Sequence, residues 1–289
     1  GHGLAHARAV SGRFIARHHR RRCPCRSRYS RPARPVRRSH DAGRLLALRR
    51  ATPARIGLGR VGGGMPTAAL LDFQAAWALA RDAVHAPFDA AAAAADAAAA
   101  TGLAAMTLRS RAPSRQGYLQ RPDLGRAPDP ADLAALPAGD FDAAFVIADG
   151  LSPAAAALHG PAVLREISPL LAGWRLAPVV AASRARVALG DWVGARLGAA
   201  MVAVLIGERP GLSAPDSLGV YLTFAPRPGR LDSERNCISN IRPPDGLSYG
   251  AAAAQLAALM CGARTLGATG VTLRVEEKDL AAFLATPEG

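Results

Sequence analysis

Lysine is nearly absent from this chain of 289 residues, because Lys278 is the only one among 36 basic residues. Cysteine is scarce as well: there are four, and neither a second close cysteine pair nor a His-x-His cluster accompanies Cys23 and Cys25. Zinc-finger spacing is therefore missing, and nothing indicates a disulfide framework. This cysteine usage fits a reducing compartment, so we expect a cytoplasmic protein.

Long apolar runs are missing too. No stretch of about 18 apolar residues free of charge is present, which argues against a membrane-spanning helix. The alanine-rich segment 90–106 is interrupted by Asp96 and Gly102. Alanine is also too weakly apolar to hold such a span, so we expect a soluble chain that does not bind membranes.

The basic charge is confined to one end of the chain. The formal net charge is +14, yet residues 1–50 contain 15 arginines and a single acid, Asp41, whereas residues 51–289 contain 21 basic and 21 acidic side chains. Like-charged blocks with little apolar periodicity stay disordered, which predicts a disordered tail over residues 1–45. Three interpretations of the tail stay open: an arm that binds nucleic acid, a transit-like segment, or an artefact of a gene model that extends too far upstream. Because the rest is neutral, a basic nucleic-acid-binding protein is the weaker alternative.

The apolar pattern predicts an α/β fold. Spacings of three and four residues predict a helix from Thr67 to about His85, and alanine propensity predicts another over residues 90–100. Residues 107–130 are rich in proline and read as loops. Strands are then predicted at 143–148, 176–182, 201–206, 220–224 and 271–275. Helices are predicted at 192–199 and 256–266, the second of which ends at Gly267. Ser152 is a predicted cap of the helix that follows the first of these strands. We therefore expect a Rossmann-like doubly wound domain over residues 111–289, preceded by a small helical segment over residues 46–110.

A glycine-rich fingerprint precedes the first predicted helix. Residues Gly57–Gly62 satisfy G-x-G-x-x-G, and Asp82 lies 20 residues further on. This spacing suggests a nicotinamide-dependent oxidoreductase as an alternative function. However, the fingerprint requires a buried strand before it and a helix that begins inside it, and neither is predicted here.

A more informative segment follows the predicted strand 201–206. Glu208 and Arg209 come directly after this apolar run, and ligands of open α/β sheets bind just beyond the carboxyl ends of such strands. Further along, residues 234–240 read as a polar loop with side chains suited to paired hydrogen bonds, namely Asn236, Ser239 and Asn240. Neither a metal-site spacing nor a G-x-S-x-G motif is present, so the chain does not resemble a self-sufficient enzyme.

The amino-acid sequences of these segments resemble a known family. GERPGLSAPDSLGVYLTFAPR (207–227) and ERNCISNIRP (234–243) are similar to the small subunit of adenosylcobalamin-dependent ethanolamine ammonia-lyase. The similarity continues, in order and over roughly residues 46–275, in the segments 52–60, 80–85, 118–126, 146–152 and 186–191.

The resemblance implies a cofactor, a partner and a set of contacts. In this family a lyase converts ethanolamine to acetaldehyde and ammonia, and adenosylcobalamin lies between a large subunit, which carries the substrate chemistry, and the small one. The implied cofactor contacts are Val187, Glu208 and Cys237, with no catalytic residue and no metal ligand in this chain. The resemblance also implies location in the cytoplasm or in a bacterial microcompartment.

Two features qualify this resemblance. The Asp-x-His-x-x-Gly motif, by which some cobalamin proteins replace the lower base with a histidine, is missing. We therefore expect cobalamin to bind with its own base on cobalt. In addition, Trp192 stands where the family usually has an acid, and Gly64-Met65 replaces the usual Ser-Leu, which concerns helix packing or subunit contacts rather than the cofactor loops.

Overall fold

The computed structural model describes residue 45 and residues 47–274 of the chain. The predicted tail, which underlies the nucleic-acid alternative, therefore falls outside the described residues apart from Leu45. Within the described part, seven α-helices are α1 (Thr67–His85), α2 (Ala90–Thr101), α3 (Arg115–Gln120), α4 (Pro130–Ala135), α5 (Pro153–Ile167), α6 (Leu189–Leu197) and α7 (Tyr249–Leu266). No helix in this part is long and apolar enough to cross a membrane.

Six strands form one mixed sheet. They are β1 (Ala105–Arg109), β2 (Phe141–Ala148), β3 (Val179–Ser183), β4 (Ala199–Gly207), β5 (Leu218–Phe224) and β6 (Arg235–Ile241). Their order is β1-β3-β2-β4-β5-β6; the first four are parallel, whereas β5 and β6 run antiparallel to their neighbours. The predicted α/β class is confirmed, while the Rossmann-like doubly wound description and the domain boundaries stay predictions.

The central strands are buried on both faces, as parallel strands require. Alternate residues of β2 illustrate this: Phe145 and Ile147 pack against helices α5 and α7, whereas Ala144 and Val146 face the side covered by α6. This burial explains why β2 and β4 read as continuous apolar runs in the sequence. The crossover from β3 to β4 places β4 on the other side of β2, so the ends of β2 and β4 meet at the point where the strand order reverses.

Most predicted elements are present, and four local predictions are wrong. The predicted loop region 107–130 contains the end of β1 and the whole of helix α3, and residues 235–240 belong to β6 rather than to a polar loop. The predicted last strand is a 3-10 turn at Gly270–Thr272, because Gly270 has a positive φ and its backbone packs against Ser233 and Glu234; Val275 lies outside the described residues. Ser152 precedes α5, but its hydroxyl donates to the carbonyl of Pro215 instead of capping the helix.

The glycine-rich segment does not have the surroundings of a dinucleotide site. Val61 and Gly64 pair as an isolated bridge, and helix α1 begins only at Thr67, after Pro66. In the described region around it, no strand leads into Gly57–Gly62. The nicotinamide alternative therefore lacks the strand and helix that would position a pyrophosphate.

A buried ion pair joins β6 to helix α6. The guanidinium of Arg235 donates to both carboxylate oxygens of Asp191 at 2.7 and 2.8 Å, and to Thr223 Oγ1 at 2.8 Å. Both ion-pair side chains are 1% exposed. The pair explains how an arginine can lie inside a strand, because its charge and its donors are satisfied there.

We expect Asp191→Ala to lower the free energy of unfolding by about 3–5 kcal/mol, since it leaves the Arg235 charge buried and unpaired. Denaturant titration would measure this loss. The matched control is Asp232→Ala, which removes the exposed second carboxylate 3.4 Å from Arg235. It should cost no more than about 1 kcal/mol. Equal losses in the two variants would contradict the importance of the buried pair.

Candidate functional site

The ends of the two central strands are in backbone contact. The amide of Leu151 donates to the carbonyl of Gly207 at 2.9 Å. A Cβ on Gly150 would lie 2.2 Å from the Gly207 oxygen, and one on Gly207 would lie 2.0 Å from the carbonyl oxygen of Ser152. Side chains are therefore excluded at both positions, and the close approach forms the floor of a crevice at the carboxyl ends of the parallel strands.

This crevice brings two of the three predicted site residues together. A cavity of about 390 Å³ opens above the floor, and its walls include Val187 from the turn after β3 and Glu208 from the end of β4. Arg186, Arg209, Tyr221 and Ser239 complete the polar part of the lining. Cys237 is exposed beside the crevice and lies directly opposite Tyr221 in the pairing of β5 with β6. The assignment of these residues to a cofactor stays a prediction.

Glu208 is held by one carboxylate oxygen. Oε2 accepts a hydrogen bond from Ser217 Oγ at 2.5 Å and a long one from the amide of Asn240 at 3.4 Å. No donor among the described residues contacts Oε1. A Cβ on Gly219 would lie 2.8 Å from Oε1, so the missing side chain at that position leaves room for the carboxylate. One acceptor oxygen of Glu208 is thus available to a ligand.

Tyr221 is the residue that the sequence analysis missed. Burial raises its pKa to about 12, with further contributions from Cys237 and Glu208. Partial burial of the sulfur raises the pKa of the Cys237 thiol, and the nearby Glu208 carboxylate raises it further. The residue as a whole is nevertheless exposed. Both groups are therefore neutral at neutral pH. A signal was present, because Tyr221 is the one aromatic residue with a polar group in a mostly apolar strand, but its pairing with Cys237 depends on the register.

A network beneath the crevice joins the loops after β2 and β3. Arg115 Nη1 donates to Asp149 Oδ2 at 3.2 Å and to the carbonyl of Gly150 at 2.8 Å. The other oxygen of Asp149 accepts from the amide of Ala185 at 2.9 Å. Burial raises the pKa of Asp149 despite the opposing effects of these N–H donors and of Arg115. The Asp149-Gly150 pair is thus a strand-ending turn that also anchors the neighbouring loop.

Tyr118 holds the segment that carries Val187. Its hydroxyl donates to the carbonyl of Ala185 at 3.1 Å, and the guanidinium of Arg186 stacks over its ring at 4.4 Å. Tyr118 itself is completely buried. The turn Ala185–Val187 is therefore fixed from below, so the crevice wall is built before any ligand binds.

A buried histidine of helix α5 has a polar partner at each ring nitrogen. His159 Nδ1 lies 2.9 Å from the hydroxyl of Tyr249, and Nε2 lies 2.9 Å from the carbonyl oxygen of Asp216. Burial lowers the pKa of His159, which favours its neutral form. Across the described ranges, no three His, Cys, Asp or Glu side chains converge as a metal site would require.

The fold and this cavity define an α/β protein with a crevice at the carboxyl ends of its parallel strands, lined by polar and apolar groups. Comparison with protein-family models matches residues 42–274 to "Ethanolamine ammonia-lyase light chain (EutC)". The chain belongs to this family of ethanolamine ammonia-lyase small subunits.

Individual relatives are similar over most of their length. The chain is 54% identical over 242 residues to an ethanolamine ammonia-lyase small subunit of Bradyrhizobium diazoefficiens, covering 82% of this chain and 92% of that one. It is 49% identical over 228 residues to that of Rhodococcus erythropolis, covering 78% and 88%. For Ralstonia nicotianae the identity is 52% over 243 residues, covering 79% and 87%. The family resemblance predicted from the sequence is confirmed.

Proposed function

We propose that this chain is the small subunit of an adenosylcobalamin-dependent ethanolamine ammonia-lyase, and that its crevice binds one side of the cofactor against a large subunit. The observation that carries the proposal is that Val187 and Glu208, distant in sequence, line one cavity. When bound, adenosylcobalamin would supply the radical, by homolysis of its cobalt–carbon bond, that starts the conversion of ethanolamine to acetaldehyde and ammonia.

The residues of the crevice suit the periphery of a corrin. That periphery carries amide side chains, which need both acceptors and donors. Glu208 Oε1 offers an acceptor that no described residue engages, and the guanidinium of Arg209 offers donors. Val187 and the ring of Tyr221 supply apolar surface next to these polar groups. No side chain of the cavity lining is a histidine, in keeping with a cofactor that retains its own base on cobalt.

This chain's residues would bind and orient the cofactor rather than move protons. Tyr221 and Cys237 have raised pKa values and stay neutral, so neither acts as a base at neutral pH. Glu208 is oriented by Ser217 and can accept an amide N–H through its other oxygen. The backbone floor at Gly150 and Gly207 and the wall at Val187 would exclude water from the side of the cofactor that they cover.

Helix α1 supports the proposed large-subunit partner. None of its 19 residues is buried, and Leu71, Trp77 and Leu79 are 58%, 53% and 62% exposed. A helix that buries so little surface is marginal alone, because helix stability in proteins comes mostly from packing. Large exposed apolar surface of this kind marks an interaction site.

The position of α1 favours the large subunit as the protein that covers it. Arg115 donates through Nε to the carbonyl of Val84 near the end of α1, and through Nη1 to Gly150 on the crevice floor. Before α1, Arg55 donates to the carbonyl of Leu212 in the loop that follows Glu208. The end of α1 and the segment that precedes this helix are thus each connected to the surroundings of the crevice, so one partner that closes the crevice would reach α1 as well.

Removing the Glu208 carboxylate should weaken cofactor binding. A hydrogen bond to a charged group contributes about 1.5–3 kcal/mol, so Glu208→Ala should raise the half-saturating cobalamin concentration about tenfold to a hundredfold. Glu208→Gln keeps one acceptor oxygen and should have a smaller effect. The measurement is the activity and the spectral titration of the complex, with the large subunit in excess. An unchanged half-saturating concentration for Glu208→Ala, with a normal thermal melt, would remove Glu208 from the site.

Gly219→Ala should act through the same carboxylate. The new Cβ would lie 2.8 Å from Glu208 Oε1, and the flexible end of Glu208 can move away without unfolding the sheet. We expect a loss of cobalamin affinity smaller than that of Glu208→Ala. In a double-mutant cycle, Gly219→Ala should add little once Glu208 is already alanine. Additive losses would mean that Gly219 affects binding by another route.

Polar substitutions on α1 should weaken subunit association. Leu71→Gln combined with Trp77→Ala keeps good helix formers and removes exposed apolar surface, so the fold should be unchanged while affinity for the large subunit falls at least about tenfold. Leu266→Gln is the matched control, since Leu266 is 53% exposed at the end of α7. Pull-down and sedimentation with the large subunit measure the effect. Lost self-association with intact binding of the large subunit would instead assign α1 to a contact between copies of this chain.

A further inference from the structure

A second cavity adjoins the crevice. It has a volume of about 290 Å³, and it shares Arg186, Val187 and Tyr221 with the crevice wall. Its remaining lining includes Arg126 and Asp232. The two cavities are therefore neighbouring parts of one concave surface, and Arg186 lies at the boundary between them.

Arg186 has a fixed position and an unused donor. Its guanidinium stacks over Tyr118 at 4.4 Å, and Arg115 occupies the same ring at 5.0 Å. Arg186 Nε is enclosed by the protein, and no described residue accepts a hydrogen bond from it. The two Nη groups also lack acceptors among the described residues, and they are accessible from the cavities that Arg186 lines, so a ligand can supply the acceptor there.

The charges around this second cavity favour an anion. Arg126 lies at its exposed edge and makes no side-chain hydrogen bond with the described residues, so its donors are also available. The acid of the lining, Asp232, is 83% exposed and lies 3.4 Å from Arg235, which offsets part of its charge. Two arginines with free donors match a phosphate, because the planar guanidinium binds phosphate oxygens in pairs.

We propose that Arg186, assisted by Arg126, binds the phosphodiester of the nucleotide loop of cobalamin, while the adjacent crevice binds the edge of the corrin. This inference rests on the proposed function. The phosphodiester is the anionic group of cobalamin at neutral pH, and a cofactor that retains its own base carries the nucleotide loop folded beside the corrin. The neighbouring positions of the two cavities suit a ligand with a neutral amide edge and one nearby anion.

Three corrinoids can distinguish the contribution of the phosphate to binding from that of the rest of the ligand. Cobinamide has the corrin and its amides, cobinamide phosphate adds a phosphate, and cobalamin adds the full nucleotide. Their dissociation constants would be measured by spectral titration of the complex with the large subunit. Arg186→Gln should weaken cobinamide phosphate and cobalamin about tenfold to a hundredfold and leave cobinamide unchanged. Arg186→Lys should recover part of the loss, because it keeps the charge but not the planar fork.

Two controls keep the result interpretable. Arg165→Gln removes an exposed arginine from α5, outside both cavities, and should leave all three affinities unchanged. Arg126→Gln alters an exposed side chain that the fold does not need, so it tests the site even if Arg186→Gln unfolds, and it should weaken both phosphorylated ligands about threefold.

An equal loss for cobinamide in both arginine variants would overturn the phosphate assignment. Unchanged affinity for every corrinoid in both variants would overturn it as well. The proposed function fails separately, if the unaltered complex binds none of the three corrinoids or if Glu208→Ala has no effect on any of them.

Discussion

The backbones that leave β2 and β4 touch at Gly150 and Gly207, and the crevice depends on this contact. The carbonyl of Gly207 accepts from Leu151, and neither glycine has space for a Cβ. Because β2 and β4 are joined through β3, this contact lies where the order of the parallel strands reverses. The floor is thus made of backbone alone, and the side chains that could contact a ligand come from the surrounding turns.

Those turns are positioned by one short helix. Arg115 and Tyr118 both belong to α3, and between them they bind Asp149, Gly150 and Ala185 through hydrogen bonds. Arg115 also binds the carbonyl of Val84 at the end of α1. The surface proposed for the large subunit is therefore two hydrogen bonds away from the crevice floor.

The composition of the crevice is consistent with a binding role. Its walls combine the carboxylate of Glu208, the guanidinium of Arg186, and two groups, Tyr221 and Cys237, that stay neutral because their pKa values are raised. Walls of this kind suit the proposed role of holding amides and an anion of the cofactor at fixed positions. The chain belongs to the family of ethanolamine ammonia-lyase small subunits, a name that implies a large-subunit partner.

Several features could be predicted from the sequence because they depend on local patterns. The long buried strands and α7 follow from apolar runs and from Gly267 at the helix end, and Glu208 could be placed beyond a strand because glycine and proline stop that strand abruptly. The family could also be identified, since its most specific segments are contiguous in the chain.

Only the tertiary structure decided which residues meet. The polar side chains of residues 234–240 hide strand character in the sequence, whereas β6 forms by pairing with β5, and Arg235 can be buried there because Asp191 of a distant helix neutralises it. The register of β5 with β6 places Tyr221 opposite Cys237 beside the crevice. Stacking on Tyr118 holds Arg186 in the wall of the cavity that Arg126 also lines. The physical reason is the same in each case: a charged or polar side chain is stabilised by a partner far away in sequence, and local propensity contains no information about that partner.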